Sequence, residues 1–372
     1  MNIWVYAICR NEAERLEKWL RRMSEADGVC VLDTGSTDGS AEILRRAAGD
    51  PAYKLRVGFA AYEHWRTLEE YDALRRMGAE AWRFDEARNR SLEMVPEEAE
   101  LCLCVDIDEM MEPGWRRALE ENWAPGYTRG AYTYIWNHDE TGAPGIVFEA
   151  DKLHARQGYK WVCPVHEVLQ AEGPERRRYV PGLVIEHFAD EQKSRAGYLP
   201  LLRLAARERP EEGRTALYLG RELYFHKLFD EARAVLLAYL ERPGQWRPER
   251  AYAMSLLAEL SQGAERENWL YRGALEAPEH RRCLYQLALD ACRRQEWAEL
   301  LALCEAMERI SARPQTYVEE PEAWGAGYYD LWALALWYTG DYNRARYKAA
   351  AALALRPGDR RLKRNLELMG GE

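Results

Sequence analysis

The hydrophobic period changes halfway along the chain, and that change constrains the fold more than any single residue does. In the second half, Phe229-Asp230-Glu231-Ala232 recurs 68 positions later as Trp297-Ala298-Glu299-Leu300, and again as Tyr342-Asn343-Arg344-Ala345. Sixty-eight is twice 34, the length of a common two-helix repeat unit. The last step is 45 residues, and its excess of 11 falls in the Pro- and Gly-containing stretch from Arg313 to Gly327. Prolines 243, 278 and 314 stand where each unit's second helix should stop. The copy near Gly263-Ala264-Glu265-Arg266 is degenerate, but Leu270, Ala274 and Leu275 keep helical spacing. Three to four helical pairs are expected. Such pairs cannot bury their apolar faces alone, so they stack and leave a concave surface suited to a peptide or a partner subunit.

The first half reads differently. Val29-Cys30-Val31-Leu32 is a buried-strand pattern that runs into Asp33-Thr34-Gly35-Ser36-Thr37-Asp38-Gly39-Ser40 before a helix from Ala41, the order of a βα unit. Asp33 leaves its strand at the carboxyl edge of the sheet, where a carboxylate can accept a base N–H or a ribose hydroxyl. Asp38 is expected to do no more than cap locally. The apolar run Leu101 to Val105 leads to Asp106 and Asp108, which strand alternation would place on one face, with Val105 and Ile107 in the core and Glu109 opposite as an alternative base or supporting group. Paired carboxylates suit Mg²⁺ or Mn²⁺ and leave coordination positions for phosphate oxygens, so a nucleotide diphosphate is the expected partner. Arg88, near a helix start, can grip a phosphate with Asn89 beside it, or form a surface ion pair with Asp85 or Glu86.

Four motifs occur in one order: Ile8-Cys9-Arg10-Asn11-Glu12, Val31 to Ser40, Phe84-Asp85-Glu86-Ala87-Arg88-Asn89, and Val105-Asp106-Ile107-Asp108-Glu109. In this order they resemble the family 2 glycosyltransferases of the GT-A fold, over roughly the first 190 residues. With Val165-His166-Glu167 and Ile185-Glu186-His187 followed by helical repeats, the chain is similar to the bacterial subgroup fused to tetratricopeptide repeats, which includes the peptide S-glycosyltransferases of glycosylated bacteriocins. The resemblance implies a metal-dependent, inverting enzyme that takes sugar from a UDP-sugar donor to a peptide, protein or glycan acceptor. It places Asp33, Arg10, Glu12, Arg88, Asn89 and Asp106 around the donor, and Asp106, Asp108 and His187 around Mn²⁺ or Mg²⁺. It makes Glu167 the base that takes the acceptor proton, with His166 orienting the acceptor. The family more often has a second Asp where this chain has Thr34.

With 372 residues, two domains are expected: an α/β GT-A (Rossmann-like) domain over 1–195 and an all-α tetratricopeptide-like repeat domain over 196–372. A formal charge of −10 argues against nucleic acid and against an anionic membrane surface. No apolar stretch approaches the roughly 18 residues a membrane helix needs, and nothing precedes the short apolar run Ile3 to Cys9 that would make it a leader, so a cytoplasmic location without membrane insertion is expected. Eight scattered cysteines without Cys-x-x-Cys spacing read as reduced packing residues. A sugar nucleotidyltransferase would need a Gly-rich, basic loop after the first strand, and Arg10-Asn11-Glu12 lacks the glycine. The remaining rival is a repeat-based protein-binding scaffold with a catalytically degenerate first domain. The repeats could also pair two copies into a homodimer.

Overall fold

The computed structural model describes residues 1–60, 83–138, 142–189 and 198–370, and the chain divides into two compact units, Met1–Thr215 and Ala216–Glu372. The strands are β1 (Ile3–Cys9), β2 (Gly28–Asp33), β3 (Leu55–Phe59), β4 (Leu101–Cys104), β5 (Glu109–Met111), β6 (Arg129–Ile135), β7 (Val147–Ala155), β8 (Tyr159–Val162), β9 (Val168–Ala171) and β10 (Arg177–His187). Eight of them form one mixed sheet in the order β3-β2-β1-β4-β7-β6-β10-β5, and β8 pairs with β9 separately. β1, β2, β3 and β4 are mutually parallel where they pair. The side chains of β1, β2 and β4 run as nearly continuous apolar stretches because both faces are covered.

Among the described residues, the helices of this unit are α1 (Ala13–Met23), α2 (Ser40–Ala48), α3 (Phe84–Glu93), α4 (Trp115–Asn122) and α5 (Tyr198–Glu208). α1 buries Leu16, Trp19, Leu20 and Met23, the i, i+3, i+4, i+7 stripe of a helix laid on a sheet. The loops after β1 and β2 are stitched together: Asn11 Oδ1 accepts the Thr37 N–H at 2.7 Å, and Ser40 Oγ accepts the Glu12 N–H at 2.8 Å. Asp38 does more than the local capping expected of it: it accepts the Ser40 N–H at 3.0 Å and also the Ala13 N–H at 2.9 Å, at the start of α1, 25 residues upstream.

Two expectations change at this level. β4 stops at Cys104, and the Glu109 N–H closes a turn on the Asp106 carbonyl at 2.9 Å, so strand alternation does not set the directions of Asp106, Asp108 and Glu109. The division also falls 20 residues later than 195, because α5 is tied into the first unit by the ion pair of Arg83 with Glu208 at 2.6 Å and by the edge-on rings of Phe84 and Tyr198. The sequence Asn137 to Gly142 reads as a turn-rich link between two strands, and residues 139–141 of it lie outside the described residues.

The second unit is helical and tetratricopeptide-like. α6 (Gly213–Phe225), which begins just before the division, pairs in sequence with α7 (Phe229–Leu240), α8 (Arg247–Glu259) with α9 (Gly263–Glu276), α10 (Arg282–Arg294) with α11 (Trp297–Glu308), and α12 (Ala326–Tyr338) with α13 (Tyr342–Leu355). α14 (Arg360–Leu368) follows. The second helices start at 229, 263, 297 and 342, so the degenerate copy keeps the 34-residue step and the insertion is the long link 309–325. Small residues allow the close approach: a Cβ on Gly220 would lie 2.7 Å from Leu236, and one on Gly273 would lie 2.5 Å from the Cys283 sulfur. All eight cysteines are free, and only Cys292 is less than buried. Among the described residues, no helix is long and apolar enough to cross a membrane.

Candidate functional site

Three strand ends, those of β1, β2 and β4, meet at the carboxyl edge of the parallel part of the sheet, with Cys9 level with Asp33 and Tyr6 level with Cys104. Open α/β sheets offer their crevice at this edge. Asp33 is almost fully buried. Its Oδ1 accepts the N–H groups of Gly35 and Ser36, each at 3.0 Å, while its buried Oδ2 has no hydrogen-bond partner among the described residues. A buried acceptor left open is costly, and a ligand N–H is one way to satisfy it. Arg10 and Glu12 lie just beyond β1 in the stitched loop, and Glu12 is buried there.

Asp106 is clamped. Its Oδ1 accepts from Arg88 Nη1 at 2.7 Å, and its Oδ2 accepts from Arg88 Nη2 at 3.1 Å and Lys152 Nζ at 3.2 Å. Burial works to raise its pKa, and the two cations more than reverse this, so the carboxyl stays ionised far below the usual carboxylate range. Arg88 comes from α3 and is itself buried. Its Nε donates to Glu167, and Nη1 lies 3.0 Å from the Cys104 sulfur. The surface pairing with Asp85 or Glu86 is therefore not its role; Asp85 pairs with Arg83 at 2.8 Å.

Glu109 turns toward the same cluster, contrary to the alternation expected of it. Its Oε1 accepts from the Tyr134 hydroxyl and from Lys152, both at 2.6 Å, and its Oε2 accepts the Asp106 N–H at 2.8 Å. Only 2% exposed, it has its pKa raised by burial against the opposing charge of Lys152. Lys152 was not singled out by the sequence, where it stands next to Asp151 in a half-buried strand; β7 lies antiparallel beside β4, and that pairing delivers it.

Asp108 sits apart from the clamp. Its Oδ2 lies 3.6 Å from His187 Nε2, and the Asp108 carbonyl accepts the Phe188 N–H at 2.8 Å. His187 Nδ1 is 2.9 Å from the Trp136 carbonyl, so Nδ1–H donates there and Nε2 is left facing Asp108. Burial alone would lower the His187 pKa, but the hydrogen bond and charge of Asp108 raise it overall. Glu167 follows β8 in a tight bend and is held by Arg88. His166, in the left-handed region at φ 51°, packs edge-on to Tyr198. Asn89 spends its amide on the backbone of Trp161, donating to its carbonyl at 2.9 Å and accepting its N–H at 2.8 Å.

The structure thus joins Arg88, Asp106, Glu109, Lys152 and Glu167 in one network and places Asp108 with His187 beside it. Among the described residues, no three His, Cys, Asp or Glu side chains are grouped to hold a metal ion. Asp108 and His187 nonetheless form a two-donor face of the kind that a hard divalent cation completes with phosphate oxygens, and the carbonyl behind Nδ1 is the usual support of a ligating imidazole. Asp106, with both oxygens held by cations, fits that role less well.

The molecule is an α/β sheet unit joined to a tetratricopeptide-like helical array. No family model matches the chain, and no curated protein matches it. Solved structures that match include MamA from Desulfovibrio magneticus RS-1, at 16% identity over 42% of this chain and 83% of that one with a TM-score of 0.35. TTC0263, a thermophilic TPR protein of Thermus thermophilus, matches at 16% identity over 46% and 89% with a TM-score of 0.32. YrrB, a TPR protein with an unusual peptide-binding site, matches at 15% identity over 47% and 82% with a TM-score of 0.34. At such scores the likeness carries no argument, and the repeat character of the second unit rests on its own helix pairs.

Proposed function

We propose that the first unit is a GT-A-type glycosyltransferase domain, metal-dependent and inverting, that moves sugar from a UDP-sugar to a peptide, protein or glycan acceptor. The observation that carries this reading is the contrast within the turn after β4: Asp106 is held ionised by two cations, while Asp108, two residues on, faces an oriented imidazole. The open Oδ2 of Asp33 suits the N–H of a pyrimidine base at the neighbouring strand end. Asp108 and His187 would hold Mn²⁺ or Mg²⁺ together with donor phosphates, and the cation would neutralise the departing diphosphate. Arg88 fixes the direction of Glu167, the group proposed to accept the acceptor proton, with His166 adjacent in sequence.

A protein-binding repeat scaffold with a degenerate first unit is the second reading. It is favoured by the four helix pairs and by the cations that already satisfy Asp106 and Glu167. Thermal unfolding with UDP-, GDP- and dTDP-sugars in Mn²⁺, Mg²⁺ or EDTA separates the two, because a ligand that binds only the native state raises its melting temperature. A metal-dependent rise with one UDP-sugar supports the enzyme; no rise with any donor supports the scaffold. Asp108→Asn should cut turnover at least about 100-fold with an unchanged circular dichroism spectrum, and full turnover in that variant would remove the metal assignment.

A further inference from the structure

The link 309–325 departs from the repeat, and it lies against the array instead of looping away. Helix-to-helix links usually run to about 8 residues, and links beyond about 15 with little secondary structure are mostly functional or disordered. Here the segment is anchored along the starts of α8 and α10. The Tyr317 hydroxyl donates to Glu249, and its ring lies 6.1 Å from that of Trp246. Val318 is buried beside Pro248, Tyr252 and Cys283. Glu319, 1% exposed, places an oxygen 2.9 Å from His280 Nδ1, and Glu320 pairs with Arg282 at 3.0 Å.

The main chain is read as well. Arg282 donates to the carbonyls of Val318 at 2.9 Å and Glu319 at 3.1 Å, and Arg281 donates to that of Ala323 at 3.2 Å. Guanidinium donors on the carbonyls of the link, a pocket for one apolar side chain, and an imidazole and a guanidinium beside the two carboxylates after it make up a peptide-recognition chemistry. We propose that this edge of the array is a recognition surface for an acidic peptide held in a turn, an aromatic-apolar pair followed by two carboxylates, and that Tyr317–Glu320 of the chain itself, where the Glu319 N–H bonds to the Thr316 carbonyl at 3.4 Å, occupies it in cis. The segment is a tethered ligand at an effective concentration of order millimolar, so a free peptide competes well only once the tethered copy is weakened.

The test uses the full chain and a fluorescein-labelled peptide of residues 314–323. In fluorescence anisotropy, the double variant Tyr317→Ala/Glu319→Gln should bind the peptide at least about 10-fold more tightly than the unsubstituted protein. Adding Arg282→Ala should abolish that gain, and a peptide with both glutamates changed to Gln should lose it. A variant with an unchanged far-ultraviolet circular dichroism spectrum that binds no more tightly overturns the proposal, as does binding indifferent to Arg282→Ala. Should the double variant fail to fold, hydrogen exchange on the unsubstituted protein decides: millimolar peptide should speed exchange of the amides at 316–320, and unchanged exchange overturns the proposal.

Discussion

Both units bury charged side chains, but they arrange them differently. In the helical array, ion pairs such as Arg233 with Glu265 and Arg294 with Glu267 lie on the surface around an apolar core that runs from Leu217 through Leu257, Leu287 and Leu336. In the sheet unit, five charged side chains are packed together at the carboxyl edge, where Arg88, Glu109 and Glu167 keep a tenth or less of their side-chain surface in water. Buried ion pairs are poor sources of stability compared with well-packed apolar residues. The array's buried charges stand in separate contacts, such as Asp290 with Arg266 and Glu319 beside His280. The sheet unit joins five in one network at a strand edge, an arrangement that fixes the directions of groups more than it holds the fold together.

The strongest way to break this contrast is to remove the shared cation. Arg88→Ala leaves Asp106 and Glu167 without their common partner, and loss of one member of a buried ion pair costs about 3–5 kcal/mol. The melting temperature should fall by several degrees in the sheet unit's transition. Arg88→Lys keeps the charge but loses the planar fork and should fall in between. Equal stability in Arg88→Ala would show that the network is solvated and the contrast between the units superficial.

Much of this could be read from the residues. The 34-residue step gave the helix pairs, and the apolar runs of β1, β2 and β4 gave the parallel strands with their carboxyl edge, because both are periodic and local. What escaped was set by distant pairing. Lys152 reaches Asp106 and Glu109 only because β7 runs antiparallel beside β4, and no local pattern announces that. Glu109 faces the cluster because β4 ends early and the chain turns, where strand alternation had aimed it away. The late division follows from α5 docking through Glu208 onto Arg83, far upstream in the chain.

A second, smaller test uses pH. Behind the clamp, Trp161 Nε1–H donates to the Tyr6 oxygen at 2.8 Å, the Tyr6 hydroxyl donates to His154 Nε2 at 2.8 Å, and His154 Nδ1–H donates to the Ala155 carbonyl, a chain complete only with neutral His154. Burial lowers the His154 pKa to about 3, from the ordinary value of 6.5. Between those values the unfolded chain binds a proton that the native chain does not, so stability falls as pH falls, by about 1.4 kcal/mol per pH unit at most, and is fully retained above the ordinary value. His154→Gln, which can still accept from Tyr6 and does not titrate, should flatten the pH dependence of urea unfolding in that window. An unchanged slope would assign the acid sensitivity to other groups.

The smallest expected effect lies in the array and is the control for the whole comparison. Arg233 on α7 pairs with Glu265 on α9, and half of the Glu265 side chain stays in water. Solvent and salt screen such a pair, and holding two long side chains in one geometry cancels much of the attraction. Arg233→Ala should therefore leave the melting temperature within replicate scatter at physiological salt, because its other polar partner, the Ser261 hydroxyl 3.1 Å away, can bond to the Leu257 carbonyl without it. A loss comparable with that of Arg88→Ala would mean that charge is as structural in the array as at the sheet edge. The buried network around Asp106 would then need no functional explanation.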